Sequence, residues 1–275
     1  MSPEEAGSVC TAQDRLVIAT PCYGGNLKLG YVNALFRACT ELSVRVRTED
    51  GRVGPAPLVA GRLHIDKESH IDRARNKLAN RFLRDTDCNW LLFIDADVVF
   101  DPAHVAELWR HGQRGHSLVA APYALKQVVP KFVITALAGA KRDEHGLIEV
   151  GHAGTGFLLV HRKVFTDLAA QGLAPEYQIG VNDPEHAHHG SHRAFFKSGV
   201  REIEGEDGKR AAHWMSEDFL FCHEARQCGH RVLMDARMQL GHIGDLTYPP
   251  PPGALVEALR ALRQSGHPAL PDTPI

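Results

Sequence analysis

The sequence lacks several features that would place it in a specialised class of protein. Its 275 residues include six cysteines without C-x-x-C spacing, which indicates neither a structural zinc site nor a disulfide framework. No apolar run is long enough to span a membrane, and residues 1–14 contain no signal-peptide hydrophobic region. The formal net charge of −2 gives no electrostatic footprint for general binding to nucleic acids or membrane surfaces. We therefore expect a cytoplasmic protein that does not bind membranes.

The first half of the chain alternates between strand and helix patterns. Hydrophobic residues make up 44% of the chain and charged residues 23%, as in an ordinary globular protein. The alternation predicts an α/β fold with a doubly wound, mostly parallel sheet flanked by helices. Strands are predicted at 15–20, 43–48, 58–65, 90–94 and 117–121, and helices at 27–42, 68–83 and 102–112.

After Pro122 the pattern becomes less regular. Strands are predicted at 131–137, 157–161 and 231–236, and helices at 164–171, 217–228 and 254–263. No composition break marks a linker, so we predict one domain over residues 15–248. Its sheet half is 15–122 and its irregular half 123–248. Residues 1–14 are predicted to be a flexible tail, and residues 249–275 a proline-rich tail with a short helix.

Two carboxylates follow the most apolar strand of the sequence. The run Trp90–Ile94 leads directly into Asp95 and Asp97, which puts both acids at the end of a buried strand, where open α/β sheets bind ligands. Side chains two residues apart in extended chain point the same way, so both can face one divalent cation. Mn²⁺ or Mg²⁺ suits such a site and predicts a substrate with a diphosphate. The alternative is one solvated aspartate and one turn aspartate.

His242 is the candidate for a further metal ligand. It lies between Gly241 and Gly244, which permit close approach of the backbone, and it follows a predicted strand. A lone histidine is also common as a surface or core residue, and the sequence leaves that alternative open.

Ser216, Glu217 and Asp218 open a predicted helix whose next residues are apolar. The apolar face would drive this helix start toward the interior, where a carboxylate could act as a general base on an incoming hydroxyl. Complementation of the helix dipole explains part of the same pattern, and the dipole should lower the pKa of such a base unless burial offsets it.

Two further groups of residues have open interpretations. Arg73 and Arg75 on the 68–83 helix could bind phosphate or a nucleotide, or could lie on a solvated helix face. Residues 183–193 carry four histidines (His186, His188, His189 and His192) without a helix or strand period. We interpret this segment as a mobile loop on the acceptor side, with transition-metal binding as the alternative.

Taken in order, these motifs resemble the GT-A glycosyltransferases, most closely the inverting, family-two-like members found in phage and bacterial genomes. The resemblance covers residues 16–248. It is carried by Asp95-Ala96-Asp97, His242 and four further stretches, namely Ala19 to Gly25, Asp72 to Asn76, Gly154 to Phe157 and Ser216 to Cys222.

The resemblance implies a GT-A fold and the transfer of a sugar from a nucleotide-diphosphate sugar to an acceptor hydroxyl, with inversion. Residues 15–122 would be the nucleotide-binding half and 123–248 the acceptor half. The implied donor-binding residues are Thr20, Pro21, Tyr23, Arg73, Arg75, Asp95, Gly154 and Gly156. The implied metal ligands are Asp97 and His242, with Asp95 touching the ribose or the metal, and the implied catalytic residues are Asp218 as base and Glu217 beside it. The acceptor, whether glycan, peptide, small molecule or modified nucleobase, is left open.

Three other functions fit parts of the pattern. A sugar-nucleotide-binding protein without turnover would need the same donor site. Asp95-Ala96-Asp97 also fits a haloacid-dehalogenase-like phosphatase, but the paired acids expected on a late strand are missing. A nucleotidyltransferase should carry a glycine-rich phosphate loop with a lysine after its first strand, and residues 24–28 are a sparse match.

Overall fold

The computed structural model describes residues 9–127, 131–137, 139–183, 190–204, 210–244 and 253–264, which form a mixed α/β fold around an eight-stranded sheet. The helices are α1 (Leu29–Glu41), α2 (Ile71–Asp85), α3 (Pro102–Gln113), α4 (Arg162–Ala170), α5 (Glu217–Gln227) and α6 (Ala254–Gln264). The first strands are β1 (Cys10–Thr11), β2 (Leu16–Cys22), β3 (Ser43–Arg47), β4 (Val53–Pro57), β5 (Val59–Asp66), β6 (Trp90–Ile94), β7 (Val98–Val99) and β8 (Leu118–Ala120). The later strands are β9 (Ile134–Ala136), β10 (Leu147–Ala153), β11 (Phe157–His161), β12 (Glu176–Gln178), β13 (Ser191–Arg193), β14 (Gly199–Glu204), β15 (Arg210–Met215), β16 (Leu233–Asp235) and β17 (Gly241–His242).

The central sheet is mixed rather than mostly parallel. Its order is β5-β2-β6-β11-β8-β16-β10-β9. The pairs β5/β2, β2/β6 and β8/β16 are parallel, whereas β6/β11, β11/β8, β16/β10 and β10/β9 are antiparallel. The prediction of a mostly parallel sheet is therefore wrong for the second half. An apolar run indicates burial on both faces of a strand, but it does not indicate the direction of the neighbouring strands.

Helices cover both faces of this sheet. Along β6, Leu91 and Phe93 point into one hydrophobic cluster, while Trp90, Leu92 and Ile94 point into another, as alternation in a strand requires. The first cluster includes apolar residues of α2, α4, α5 and α6, and the second includes those of α1 and α3. Burial on both faces explains why the strand sequence is continuously apolar.

One edge of the sheet collects the ends of several strands. Because β5, β2 and β6 are parallel, their carboxyl ends meet there. Strand β11 runs the opposite way and pairs Phe157 with Ile94, so residues 154–156 reach the same edge. Strand β8 pairs Ala120 with Leu158, which brings residues 121–127 there as well. Five segments from separate parts of the chain thus converge.

Several local predictions differ from the structure. Residues 10–14 are not a free tail, since β1 pairs with β3 and the Trp109 indole donates a 2.6 Å hydrogen bond to the Asp14 carbonyl. Strand β3 lies in a separate sheet, β1-β3-β4, and β4 occupies residues for which no strand was predicted. The hairpin β14-β15 was not predicted. Helix α6, predicted at 254–263, packs against the first cluster through the buried Leu255 and Leu259.

Some predictions fall outside the described residues, namely those on 1–8, on His186, His188 and His189, and on the prolines 249–252. His192 is described, and it is a buried residue of β13 that pairs with β12. Among the described residues, no helix combines the length and apolar character that crossing a membrane requires.

Candidate active site at the carboxyl edge of the sheet

A cleft of about 320 Å³ opens where the parallel strands end. It is lined by Pro21, Tyr23, Asn26, Lys28, Glu68, Ser69, Ile71, Ala74, Asp95, Ala96 and Asp97. Four residues predicted from the sequence, Pro21, Tyr23, Asp95 and Asp97, are among them. The Tyr23 ring is 75% exposed, so its faces are open to a ligand. The location matches the rule that open α/β sheets bind ligands beyond the carboxyl ends of their strands.

Asp97 and His242 meet at this cleft. Strand β17 pairs with β7, so that His242 lies opposite Val98, and the Ile243 N–H donates to the Asp97 carbonyl over 2.8 Å. The His242 Nε2 atom lies 3.4 Å from Oδ1 of Asp97. The other carboxylate oxygen, Oδ2, accepts a hydrogen bond from the Lys126 ammonium. Burial would raise the pKa of Asp97, but the bonds from His242 and Lys126 outweigh it and lower this pKa to about 2.

The donor set of Asp97 and His242 fits a divalent cation. The His242 Nδ1 atom lies 2.8 Å from the Ala124 carbonyl, which can only accept, so Nδ1 carries the proton. With a cation bound, the neutral ring could present its Nε2 lone pair to that cation, in place of the contact that Nε2 now makes with Oδ1 of Asp97. Metal-binding histidines are commonly held in this way by a backbone carbonyl.

Asp95 has partners other than those predicted for a metal ligand. The Arg75 guanidinium donates to both of its oxygens, with Nη1–Oδ1 at 3.0 Å and Nη2–Oδ2 at 3.3 Å. Arg75 is buried, and its Nε atom also lies 3.5 Å from Oε1 of Glu217. This pairing neutralises Asp95, which favours a hydrogen bond to a sugar hydroxyl over coordination of a cation. It also engages Arg75 itself, so the arginine predicted to bind phosphates is held by two carboxylates.

Thr20 and Arg73 are also placed differently from the prediction. Thr20 is buried and its hydroxyl is bonded to the Tyr31 hydroxyl, so it lies behind the cleft and not on its wall. Arg73 donates from Nε and Nη2 to the two oxygens of Glu68 at 2.7 and 2.6 Å. Burial opposes ionisation of Glu68, but the bonds from Arg73, the His70 N–H and Lys77 together outweigh it and lower the pKa of Glu68 to about 2. Arg73 therefore fixes a carboxylate at the cleft wall.

Gly154 and Gly156 make room for an aromatic ring. A Cβ atom on Gly154 would lie 2.5 Å from the Tyr123 hydroxyl oxygen, and one on Gly156 would lie 2.6 Å from Cζ of the same ring. The Gly156 N–H donates to the Tyr123 hydroxyl over 3.1 Å, and the Gly156 carbonyl accepts from the Asp95 N–H. The resemblance implies that these glycines bind the donor, but the space beside them is occupied by Tyr123.

Glu217 and Asp218 start helix α5 beside the same cluster. Asp218 is buried, and its Oδ1 atom accepts from the Ser216 hydroxyl and from the Phe219 N–H, so this carboxylate is held in one orientation. Burial raises the pKa of Glu217 despite the nearby Arg75. The expected conflict between helix dipole and basicity is therefore resolved by burial at Glu217.

The segment 121–127 contributes residues that sequence reasoning missed. Tyr123 packs edge-on against the His242 ring with centroids 5.2 Å apart, Ala124 orients that ring, and Lys126 bonds Asp97. Burial raises the pKa of Tyr123, so its hydroxyl stays protonated. The available signal was position, because these residues directly follow a buried strand of the same sheet.

A second group of possible metal ligands lies outside the cleft. One ligand atom from each of Glu107, His111 and Asp235 comes within 4.8 Å of the others. However, Arg237 donates to Glu107 over 3.1 Å and to Asp235 over 2.6 Å, and His111 Nε2 lies 2.9 Å from Asp235. Arg237 supplies the positive charge that a metal ion would otherwise supply, so these residues form an ion-pair network.

Comparison with known proteins identifies no family. No protein-family model and no curated protein sequence matches the chain. Among solved structures, A197 from STIV is 16% identical over 84% of this chain and 86% of its own, with a TM-score of 0.49. The 4-diphosphocytidyl-2C-methyl-D-erythritol synthase from Anaerococcus prevotii is 9% identical over 62% and 81%, with a TM-score of 0.33. Both are too distant to establish a fold family or an activity for this chain.

Proposed function

We propose that the chain is a GT-A-like, metal-dependent glycosyltransferase that moves a sugar from a nucleotide-diphosphate sugar to an acceptor hydroxyl. The observation that carries the proposal is the meeting of Asp97 and His242 beside a cleft that is lined by Asp97 and by the exposed ring of Tyr23. Carboxylate plus imidazole suits Mn²⁺ better than Mg²⁺, which prefers oxygen ligands. When bound, the cation would neutralise charge on the leaving nucleoside diphosphate.

The remaining side chains supply binding and proton transfer. Tyr23 would stack on the nucleotide base, and the neutralised Asp95 would accept a hydrogen bond from the ribose. Asp218 would take the proton of the acceptor hydroxyl while its oxygen attacks the anomeric carbon. The bond from that carbon to the phosphate oxygen breaks with its electron pair passing to the diphosphate. A single displacement of this kind inverts the configuration.

The geometry disfavours one alternative and leaves another to experiment. A haloacid-dehalogenase-like phosphatase needs Asp95 as a free nucleophile, but Arg75 engages both of its oxygens. A sugar-nucleotide-binding protein without turnover would use the same cleft. A transferase should release free nucleoside diphosphate when an acceptor is added, whereas a binding protein without turnover should release none.

Replacing Asp97 with Ala tests the metal site. Calorimetric titration of the wild type with nucleoside diphosphates should show binding that depends on Mn²⁺, because the cation bridges ligand and protein. In Asp97→Ala this dependence should disappear, with any residual affinity the same with and without Mn²⁺.

Asp50→Ala is the matched control, since Asp50 is an exposed carboxylate paired with Arg52. It should behave as the wild type. Mn²⁺-dependent binding that survives in Asp97→Ala would remove Asp97 from the site and, with it, the observation on which the proposed function rests.

A further inference from the structure

The two arginines predicted to bind a phosphate group are already paired with carboxylates of the protein. Arg73 is bound to Glu68, and Arg75 is bound to Asp95 and Glu217. Each arginine is thus held by a carboxylate other than Asp97, whereas the charge of the ligand has to be met beside Asp97 and His242. An anion with several charges needs a different cationic side chain beside the metal position.

Lys126 lies where that charge is needed. Its ammonium bonds Oδ2 of Asp97, whereas Oδ1 of the same carboxylate faces His242. The two oxygens thus have separate partners, and Lys126 can stay in place when the Oδ1 side is used by a cation. The side chain is 38% exposed, so its head is not enclosed by protein. An ammonium group has three donors, and its bond to Asp97 uses one of them.

We propose that Lys126 is a phosphate-binding residue of this cleft, which bonds Asp97 with one N–H and a phosphate oxygen of the nucleoside diphosphate with another. This assignment rests on the proposed function and names the side chain that recognises the leaving group. Lys126 acts as a fixed positive charge beside the cation held by Asp97 and His242. It also limits the affinity of the empty site for that cation, because it already compensates part of the charge of Asp97.

The two roles of Lys126 predict effects of opposite sign. In Lys126→Met, Mn²⁺ alone should bind more tightly, because a competing positive charge is gone. At saturating Mn²⁺, a nucleoside diphosphate should bind roughly tenfold more weakly, as expected for loss of one charged hydrogen bond. Damage to the fold would weaken both ligands together, so the opposite signs identify the charge itself.

The experiment uses the full-length protein. Mn²⁺ binding is followed by the electron paramagnetic resonance signal of the free ion. UDP, GDP, ADP and CDP, with their nucleosides, are titrated by calorimetry at saturating Mn²⁺. Lys126→Arg keeps the charge and should retain most of the diphosphate affinity, while the nucleosides should bind Lys126→Met and the wild type equally. Lys163→Met, which removes an exposed lysine paired with Asp167, is the control and should change neither measurement.

The outcomes separate this inference from the proposed function. If the wild type binds none of the four diphosphates, the glycosyltransferase proposal fails and the role of Lys126 fails with it. If the wild type binds one and Lys126→Met binds it equally well, only the role of Lys126 is overturned. Lys28 lines the cleft itself and is the other lysine near Asp97 to be tested. Loss of diphosphate affinity in Lys28→Met but not in Lys126→Met would likewise overturn the assignment.

Discussion

Asp97 shows how the surroundings of one residue decide its chemistry. Its two oxygens have different partners, an imidazole on one side and an ammonium on the other, and these keep it ionised despite burial. Asp95, two residues away, has both oxygens on Arg75. Two aspartates of one short motif therefore differ in their surroundings, and under the proposed function Asp97 would hold a cation while Asp95 would accept a hydrogen bond.

Separate replacement of Glu217 and Asp218 by their amides identifies which carboxylate at the start of α5 is the base. Asp218→Asn should leave donor binding unchanged and lower the turnover number roughly 10²–10⁴-fold, because an amide cannot accept the acceptor proton. Glu217→Gln removes the neighbouring carboxylate without touching Asp218, and it should lower turnover less. The measurement is acceptor-dependent release of nucleoside diphosphate together with the donor dissociation constant.

The opposite order of effects would move the role of base to Glu217, whose pKa is raised by burial. Unchanged turnover in both variants would exclude a general base at the start of this helix.

At the scale of elements, Arg75 joins three parts of the fold. It projects from α2, pairs with the carboxylate that follows β6 and reaches the first residue of α5. Because Arg75 is buried, this junction is costly to break. Removal of the guanidinium would leave the carboxylates of Asp95 and Glu217 without their compensating charge. The same ion group sets the distance between the end of the central strand and the helix that carries the proposed base.

Arg75→Met should therefore lower the free energy of unfolding by about 3–5 kcal/mol, the range for breaking a buried ion pair by removing one partner. Urea denaturation followed by circular dichroism measures it. Arg75→Lys keeps the charge but loses the two-pronged geometry, and we expect an intermediate loss.

Arg52→Met is the control for this measurement. Arg52 is an exposed arginine paired with Asp50, and its loss should cost no more than about 0.5 kcal/mol. A similar cost for Arg75→Met and Arg52→Met would show that the junction contributes nothing special to stability.

For the whole molecule, acid should be destabilising, and His152 is one of several histidines with a pKa lowered by burial that contribute in the weakly acidic range. His152 is buried, with its ring stacked on Phe219 at 4.8 Å and Nδ1 3.1 Å from the Thr135 hydroxyl. Burial lowers its pKa to about 3, from 6.5. Below about pH 6.5 the unfolded chain binds a proton at this position and the folded chain does not. The free energy of unfolding therefore decreases as the pH is lowered in this window.

His152→Phe keeps an aromatic ring on Phe219 but removes the titrating group. Between about pH 6.5 and about pH 5 it should reduce the loss of unfolding free energy by about 2 kcal/mol relative to the wild type. Urea denaturation at a series of pH values tests this. If the free energy of unfolding changes with pH in the same way in both proteins, His152 is protonated equally in the folded and unfolded states and the prediction is wrong.

The pH profile should have a second, more acidic part. Asp97 and Glu68 have pKa values of about 2 in the folded protein, against reference values of 3.8 and 4.5. Their contribution to stability is complete above the reference values and is lost as pH falls toward about 2. This part should persist in His152→Phe, since neither carboxylate contacts that ring in the described structure.

The sequence by itself determined the features that depend on local pattern. A continuous apolar run ending in two carboxylates indicated a buried strand at a ligand-binding edge, and the structure has β6 there with Asp95 and Asp97 at the cleft. Ser216 before Glu217 and Asp218 indicated the start of a helix, and α5 begins at Glu217. These features could be predicted because period and capping act over a few residues.

Only the tertiary structure decided which side chains became partners. Arg75 lies against Asp95, and Tyr123 against Gly154 and Gly156, because strand order and direction bring distant segments to one edge. Lys126 reaches Asp97 for the same reason. A hydrophobic period records how deeply a residue is buried but not which strand lies beside it. The partners of each charge at the candidate site therefore depend on sheet topology, which acts across the whole chain.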